Sequence, residues 1–176
     1  MDHRPVRVAI LGINYAPEPT GIAPYTTGLA KGLAKLGHDV QVLTGYPHYP
    51  QWKRDEATSG FRSDEEIDGV RVRRLSHPVP RHLSWAGRAA MELTFGVQLL
   101  TTRWGRPEVV VCVTPPLLAA AMSTVRARLT WRRPAVGILV QDLYSRGIAE
   151  TGAVSGLSAR AMQMTEASAN RLADGV

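Results

Sequence analysis

Short apolar runs alternate with segments of helical periodicity along this chain. Val6-Arg7-Val8-Ala9-Ile10-Leu11-Gly12-Ile13 is rich in β-branched residues and closes on a glycine-containing turn region, the pattern of a largely buried strand. The breaker-rich loop from Asn14 to Gly21 follows. Pro24 suits the first turn of a helix, Tyr25, Leu29, Leu33 and Leu36 form an apolar stripe at helical spacing, and Gly37 is the stop. Val40 to Thr44 reads as a second buried strand, and a loop with two prolines, Tyr46 to Pro50, leaves its carboxyl end. A hairpin-like turn at Ile67-Asp68-Gly69-Val70 precedes a strand in which Val70, Val72 and Leu75 alternate in part with Arg71, Arg73 and Arg74, which predicts one solvated face. Leu83 to Trp104 reads as a long helix with Leu93, Val97, Leu100 and Trp104 pointing inward. Val109 to Thr114 is a further buried strand, Pro115-Pro116 open a helix towards Trp131, and Ala135 to Val140 is a fifth strand. A last helix spans about Ser158 to Leu172, and Ala173-Asp174-Gly175-Val176 has the look of a turn into another strand. Buried strands alternating with helices predict an α/β, Rossmann-like open parallel sheet covered by helices on both faces. The expectation is one domain over residues 1–176, belonging to a larger architecture.

Composition narrows the class. At 176 residues and 44% hydrophobic content the chain can bury one continuous core. Its single cysteine, Cys112, lies in an apolar run, so neither a disulfide framework nor a cysteine metal site is expected. The polar start and the short first apolar run resemble neither a signal peptide nor a membrane span, which predicts a cytoplasmic protein. A net charge of +6, mostly from arginine, points to an anionic neighbour. No nucleic-acid-binding signature accompanies the charge, so a phospholipid surface or a phosphorylated substrate is favoured over nucleic acid.

In an open parallel sheet, ligands gather beyond the carboxyl ends of the strands, near the point where strand order reverses. That rule selects the loops Asn14 to Gly21, Tyr46 to Pro50, Thr114 to Pro116 and Gln141 to Tyr144. Gly21 precedes a helix whose free N–H groups and positive dipole end can receive a phosphate; it can equally be a glycine that only turns the chain. No G-x-G-x-x-G follows the first strand and no glycine-rich run ends in Gly-Lys-Ser/Thr, so hydride transfer and P-loop hydrolysis fall in rank.

The segments Asn14-Tyr15-Ala16-Pro17-Glu18-Pro19-Thr20-Gly21-Ile22, Leu33-Ala34-Lys35-Leu36-Gly37-His38-Asp39-Val40, Val113-Thr114-Pro115-Pro116-Leu117 and Val140-Gln141-Asp142-Leu143-Tyr144, in this order, resemble the N-terminal domain of family 4 retaining glycosyltransferases, in the branch serving colanic acid and exopolysaccharide synthesis. The resemblance covers essentially the whole chain. It implies the N-terminal half of a GT-B fold, in which two Rossmann-like domains face each other across a cleft. The C-terminal, donor-binding domain lies outside this chain and is its expected partner. The implied reaction moves a sugar, of hexosyltransferase type, from a nucleoside diphosphate sugar to a glycan or lipid-linked acceptor. It uses no further cofactor and no metal in this domain, and the present residues alone are expected to be inactive. Thr20, Gly21 and Ile22 would close over the donor phosphates, and Asn14, Tyr15, Tyr46, His48, Thr114 and Gln141 would line the acceptor side. Many members carry a second glycine where Ile22 stands and a histidine where Gln141 stands, so a histidine role does not transfer to that position.

Asp142 is the candidate for orienting a reacting hydroxyl, although a carboxylate at a strand end can also cap the next turn. His48 could contact an acceptor or be an ordinary surface group. Trp85, Arg88, Arg103 and Trp104 could dock on an anionic membrane, giving peripheral contact with the inner face of the cell membrane, or belong to a core helix. Two further readings are a non-catalytic membrane- or partner-binding module, and half of a GT-B sugar-nucleotide epimerase.

Overall fold

A computed structural model describes residues 4–54, 60–80, 84–141 and 157–176. Its elements are β1 (Arg7–Leu11), α1 (Ala23–Lys35), β2 (Asp39–Gly45), β3 (Arg62–Ile67), β4 (Val70–Leu75), α2 (Trp85–Thr101), β5 (Val109–Thr114), α3 (Leu117–Leu129), β6 (Ala135–Val140) and α4 (Leu157–Leu172). The six strands form one sheet in the order β3-β4-β2-β1-β5-β6. Every neighbouring pair is parallel except the β3–β4 hairpin. After α4, Gly175 pairs in parallel with Gly137 of β6, so the chain begins to extend the sheet beyond that strand.

Alternation along each strand divides the core between the two faces of the sheet. Val8 and Ile10 of β1, with Val40, Val42 and Val113, pack towards α1, where Ala30 lies. Ala9 and Leu11, with Leu43, Cys112 and Ile138, pack towards Phe95 and Leu99 of α2, Ala119 of α3 and Ala169 of α4. Total burial pushes the Cys112 thiol up to about 12. Strand order reverses between β1 and β5, with β2 and β4 on one side and β6 on the other. The α/β, mostly parallel sheet with helices on both faces agrees with the expected class; the antiparallel edge strand β3 is an addition to it.

The helices are rotated from the phases predicted. The fully buried face of α1 consists of Ala23, Thr26, Thr27 and Ala30; Leu29 and Leu33 pack partly buried against the core, whereas Tyr25 and Leu36 are exposed. In α2 the buried residues are Met91, Glu92, Phe95, Gly96, Gln98 and Leu99, while Leu93, Val97 and Leu100 point to solvent. Polar Glu92 and Gln98 occupy inward positions because each has a partner there. The Gln98 side-chain amide donates to the Ser76 carbonyl, and Glu92 accepts from the Leu118 backbone N–H. Small residues set the α2–α3 distance: a Cβ at Gly96 would lie 2.7 Å from Met122 Sδ and 3.2 Å from Ala119 Cα.

Candidate active-site cleft

The carboxyl ends of β1, β2, β4 and β5 bring the first three candidate loops to one edge of the sheet. Gly21 stands at φ +66°, a left-handed conformation that glycine adopts without a Cβ penalty, and a Cβ there would meet Tyr49 Cε1 at 3.0 Å. Helix α1 starts two residues later. Its N-cap Ile22 offers no side-chain cap, its first turn contains Pro24 and holds no acidic residue, and among the described residues no side chain bonds its first-turn amides. Among the described residues no side chain therefore compensates the positive end of that helix dipole. The junction after the neighbouring strand β5 differs. Pro116 likewise supplies no side-chain cap to α3, but the buried Glu92 carboxylate reaches across from α2 and accepts the Leu118 N–H at 3.1 Å. Two equivalent helix ends thus have opposite electrostatic states, one filled from inside the protein and one open.

Buried charges fix the loops around the open end. Glu18 Oε1 accepts from the backbone N–H groups of His48 and Tyr49, each at 2.8 Å, and Glu18 Oε2 accepts from Asn14 Nδ2 at 2.8 Å. Glu18 therefore ties the first loop to the second. Arg74, on β4, ties the first loop to the sheet: its guanidinium donates to the carbonyls of Ala16 and Gly45 and pairs with Glu65. The predicted solvated arginine face of β4 holds for Arg71 but not for Arg74, which is buried because these carbonyls and Glu65 satisfy its donors.

His48 is buried rather than a surface group. Its Nδ1 lies 3.1 Å from the Tyr46 carbonyl and 3.5 Å from Glu18, and its ring meets His77 edge-on with centroids 4.7 Å apart. Burial, reinforced by the charge of His48, lowers the His77 pKa to about 4. Tyr15 and Tyr46 are also buried, and desolvation raises the Tyr15 phenol to about 12. Tyr15, Tyr46 and His48 therefore lie beneath the surface at this edge of the sheet. Thr114 is buried, Asn14 and Gln141 are half-buried, and Thr20 and Gly21 are exposed at the rim. Asp142 lies outside the described residues.

Sequence reasoning missed Glu18, Arg74, His77 and Trp52. Trp52 is half-buried at φ +51°, its ring meets those of Tyr49 and His48 edge-on, and the Arg88 guanidinium stands 5.3 Å from its centroid. The proposed membrane set needs one correction. Trp104 is 6% exposed: its Nε1 donates to the Leu99 carbonyl and Arg126 stacks on its ring at 4.0 Å, so it is a core residue. Trp85, at 54%, and Arg88 and Arg103 are exposed.

The sheet and its helices define a Rossmann-like α/β domain whose strand order reverses between β1 and β5. Residues 20–176 match the family model described as "Glycosyl transferase 4-like domain", and the chain belongs to that family. It is also 34% identical over 154 residues to "Putative colanic acid biosynthesis glycosyl transferase WcaI" of Escherichia coli (strain K12). The match covers 84% of this chain and 38% of that protein. The family 4, WcaI-like resemblance read from the motifs is thereby shown, and the sheet is consistent with the Rossmann-like half of a GT-B fold.

Proposed function

We propose that this chain is the acceptor-side half of a retaining glycosyltransferase that moves a hexose from a nucleoside diphosphate sugar to a glycan or lipid-linked acceptor in cell-surface polysaccharide synthesis. The observation that carries the reading is the contrast between the two helix ends: α3 is neutralised by Glu92, whereas α1 is left open behind Gly21. Charge that builds on a departing diphosphate is stabilised by oriented N–H dipoles already in place, without reorganisation at the moment of reaction. A second domain across the cleft, outside this chain, holds most of the donor. Thr20, Gly21 and Ile22 close on its phosphates, while the rim at Asn14 and Gln141 faces the acceptor. Asp142 orients the reacting hydroxyl in this scheme. Neither a protein nucleophile nor a metal in this domain is invoked.

The test is sugar transfer by the full-length protein from mixed nucleotide sugars to a membrane-extract acceptor, with Gly21→Val beside the parent. A valine would need the left-handed backbone and would collide with Tyr49. The variant should raise the donor KM by roughly tenfold or more, the equivalent of about 1.4 kcal/mol. An unchanged KM would remove Gly21 from the donor site.

Exposed residues of α2 support peripheral membrane contact. Leu93, Val97 and Leu100, at 52%, 47% and 39% exposure, form an outward apolar stripe; Trp85 is exposed at the start of the helix and Arg103 just beyond its end, while Arg88 stands over Trp52. Among the described residues no helix is long and apolar enough to cross a membrane. An exposed apolar stripe on a chain of net charge +6 suits the headgroup boundary of an anionic leaflet. Binding to vesicles containing anionic lipid should exceed binding to neutral vesicles, and Leu93→Ser with Val97→Ser should weaken it several-fold. Equal binding to both vesicle types would refute this part.

A further inference from the structure

The 46–50 loop touches Gly21 through the Tyr49 ring, at 3.0 Å from the position of a Cβ. The loop is held there by Glu18, whose side chain is 2% exposed and bonds both the His48 and Tyr49 amides through one oxygen. Glu18 is in turn fixed by Asn14 on its other oxygen, and Arg74 holds Ala16. The carboxylate therefore links the end of β2 to the segment that precedes the open helix. Its two backbone bonds are charge-assisted and shielded from water, the condition in which such bonds are strongest. We propose that Glu18 is a positioning residue of the cleft: by anchoring the His48-Tyr49 peptide it sets the Tyr49 ring against Gly21 and fixes the loop that receives the donor diphosphate. Tyr49 continues the support outwards, since its ring meets Trp52, which carries Arg88 of α2.

The diphosphate part rests on the function proposed above; the anchoring part is independent of it. Hydrogen exchange on the full-length protein separates them. In Glu18→Ala, amides of a peptide spanning residues 44–52 should exchange at least roughly tenfold faster, the loss of one charge-assisted bond, while β5 amides stay protected. Glu18→Gln keeps an acceptor for both amides once the Asn14 amide turns over, so it should restore most of the protection. Exchange unchanged in Glu18→Ala would overturn the anchor whether or not the protein transfers sugar. Should the alanine variant not fold, Glu18→Asp carries the same comparison, because its carboxylate is one methylene short of the two amides.

The kinetic arm compares donor KM with kcat. Glu18→Ala and Tyr49→Ala should each raise donor KM about tenfold with kcat within about twofold, and Glu18→Gln should recover most of the loss. A fall in kcat at unchanged KM, or no rescue by glutamine, would overturn the positioning role.

Discussion

His77 has no room for a proton. Its ring is enclosed between His48, Phe95 and the Pro78 carbonyl, and burial drives its pKa from 6.5 to about 4. The unfolded chain therefore binds a proton here over a pH range in which the folded protein does not. Stability from this group is complete above pH 6.5, the unfolded value, and is lost as pH falls towards about 4. The full loss is on the order of 3 kcal/mol. Urea midpoints between pH 7 and pH 4.5 should fall steadily, and His77→Leu should flatten that slope; a slope that the substitution leaves unchanged would locate the acid sensitivity elsewhere. Glu18 and Arg74 show the complementary solution, in which backbone groups supply the hydrogen-bond partners of a buried polar side chain. Neither was visible in the sequence, where a charged residue between prolines or in an arginine-rich strand reads as solvated. Only the fold brings the His48-Tyr49 amides and the Ala16 carbonyl to them.

Strands β1, β2, β5 and β6 were legible because each is a short, mainly apolar run: β5 and β6 lie at 109–114 and 135–140, where the pattern placed them. Helix phase was harder to read. In α2, Leu93, Val97 and Leu100 have the spacing of a core stripe, yet the buried side carries Phe95, Leu99, Gly96 and the polar Glu92 and Gln98. The cause is close approach: α3 packs where Gly96 has no side chain, which fixes the face that carries Phe95 and Leu99 as the inward one. Gly96→Val should therefore destabilise the protein by about 2 to 3 kcal/mol through overpacking against Ala119 and Met122, read as a lower thermal midpoint. Tolerance of valine would show that the two helices can separate freely. In α1, Leu29 and Leu33 of the expected stripe pack against the core at its edge, the small Ala23, Thr26, Thr27 and Ala30 take its centre, and Tyr25 and Leu36 face solvent. Strand β3 carried no apolar signal, since RSDEEI is an exposed edge paired only with β4; the bidentate Arg73–Asp64 contact accounts for part of its charge.

At the scale of the molecule, one sheet faces two ways: α1 covers one side, and α2, α3 and α4 the other. The class of fold and the position of the cleft followed from the alternation of strands and helices, because the carboxyl ends of parallel strands must share an edge. The candidate site was legible in its loops more than in its residues. Gly21 and Thr20 lie exposed, whereas Tyr15, Tyr46 and His48 are buried and Trp104 belongs to the core. The open end of α1 depended on something no local pattern contains, namely that Glu92 closes the neighbouring helix and nothing equivalent reaches α1 among the described residues.

The most direct test of that contrast is donor saturation of the full-length protein, with the parent, Gly21→Val and Glu92→Gln measured in parallel. A donor KM raised roughly tenfold by Gly21→Val, and one changed by less than about twofold by Glu92→Gln, is the predicted result. An unaltered donor KM in Gly21→Val, in a protein that still transfers sugar, would contradict the assignment of the α1 end as the anion-receiving edge.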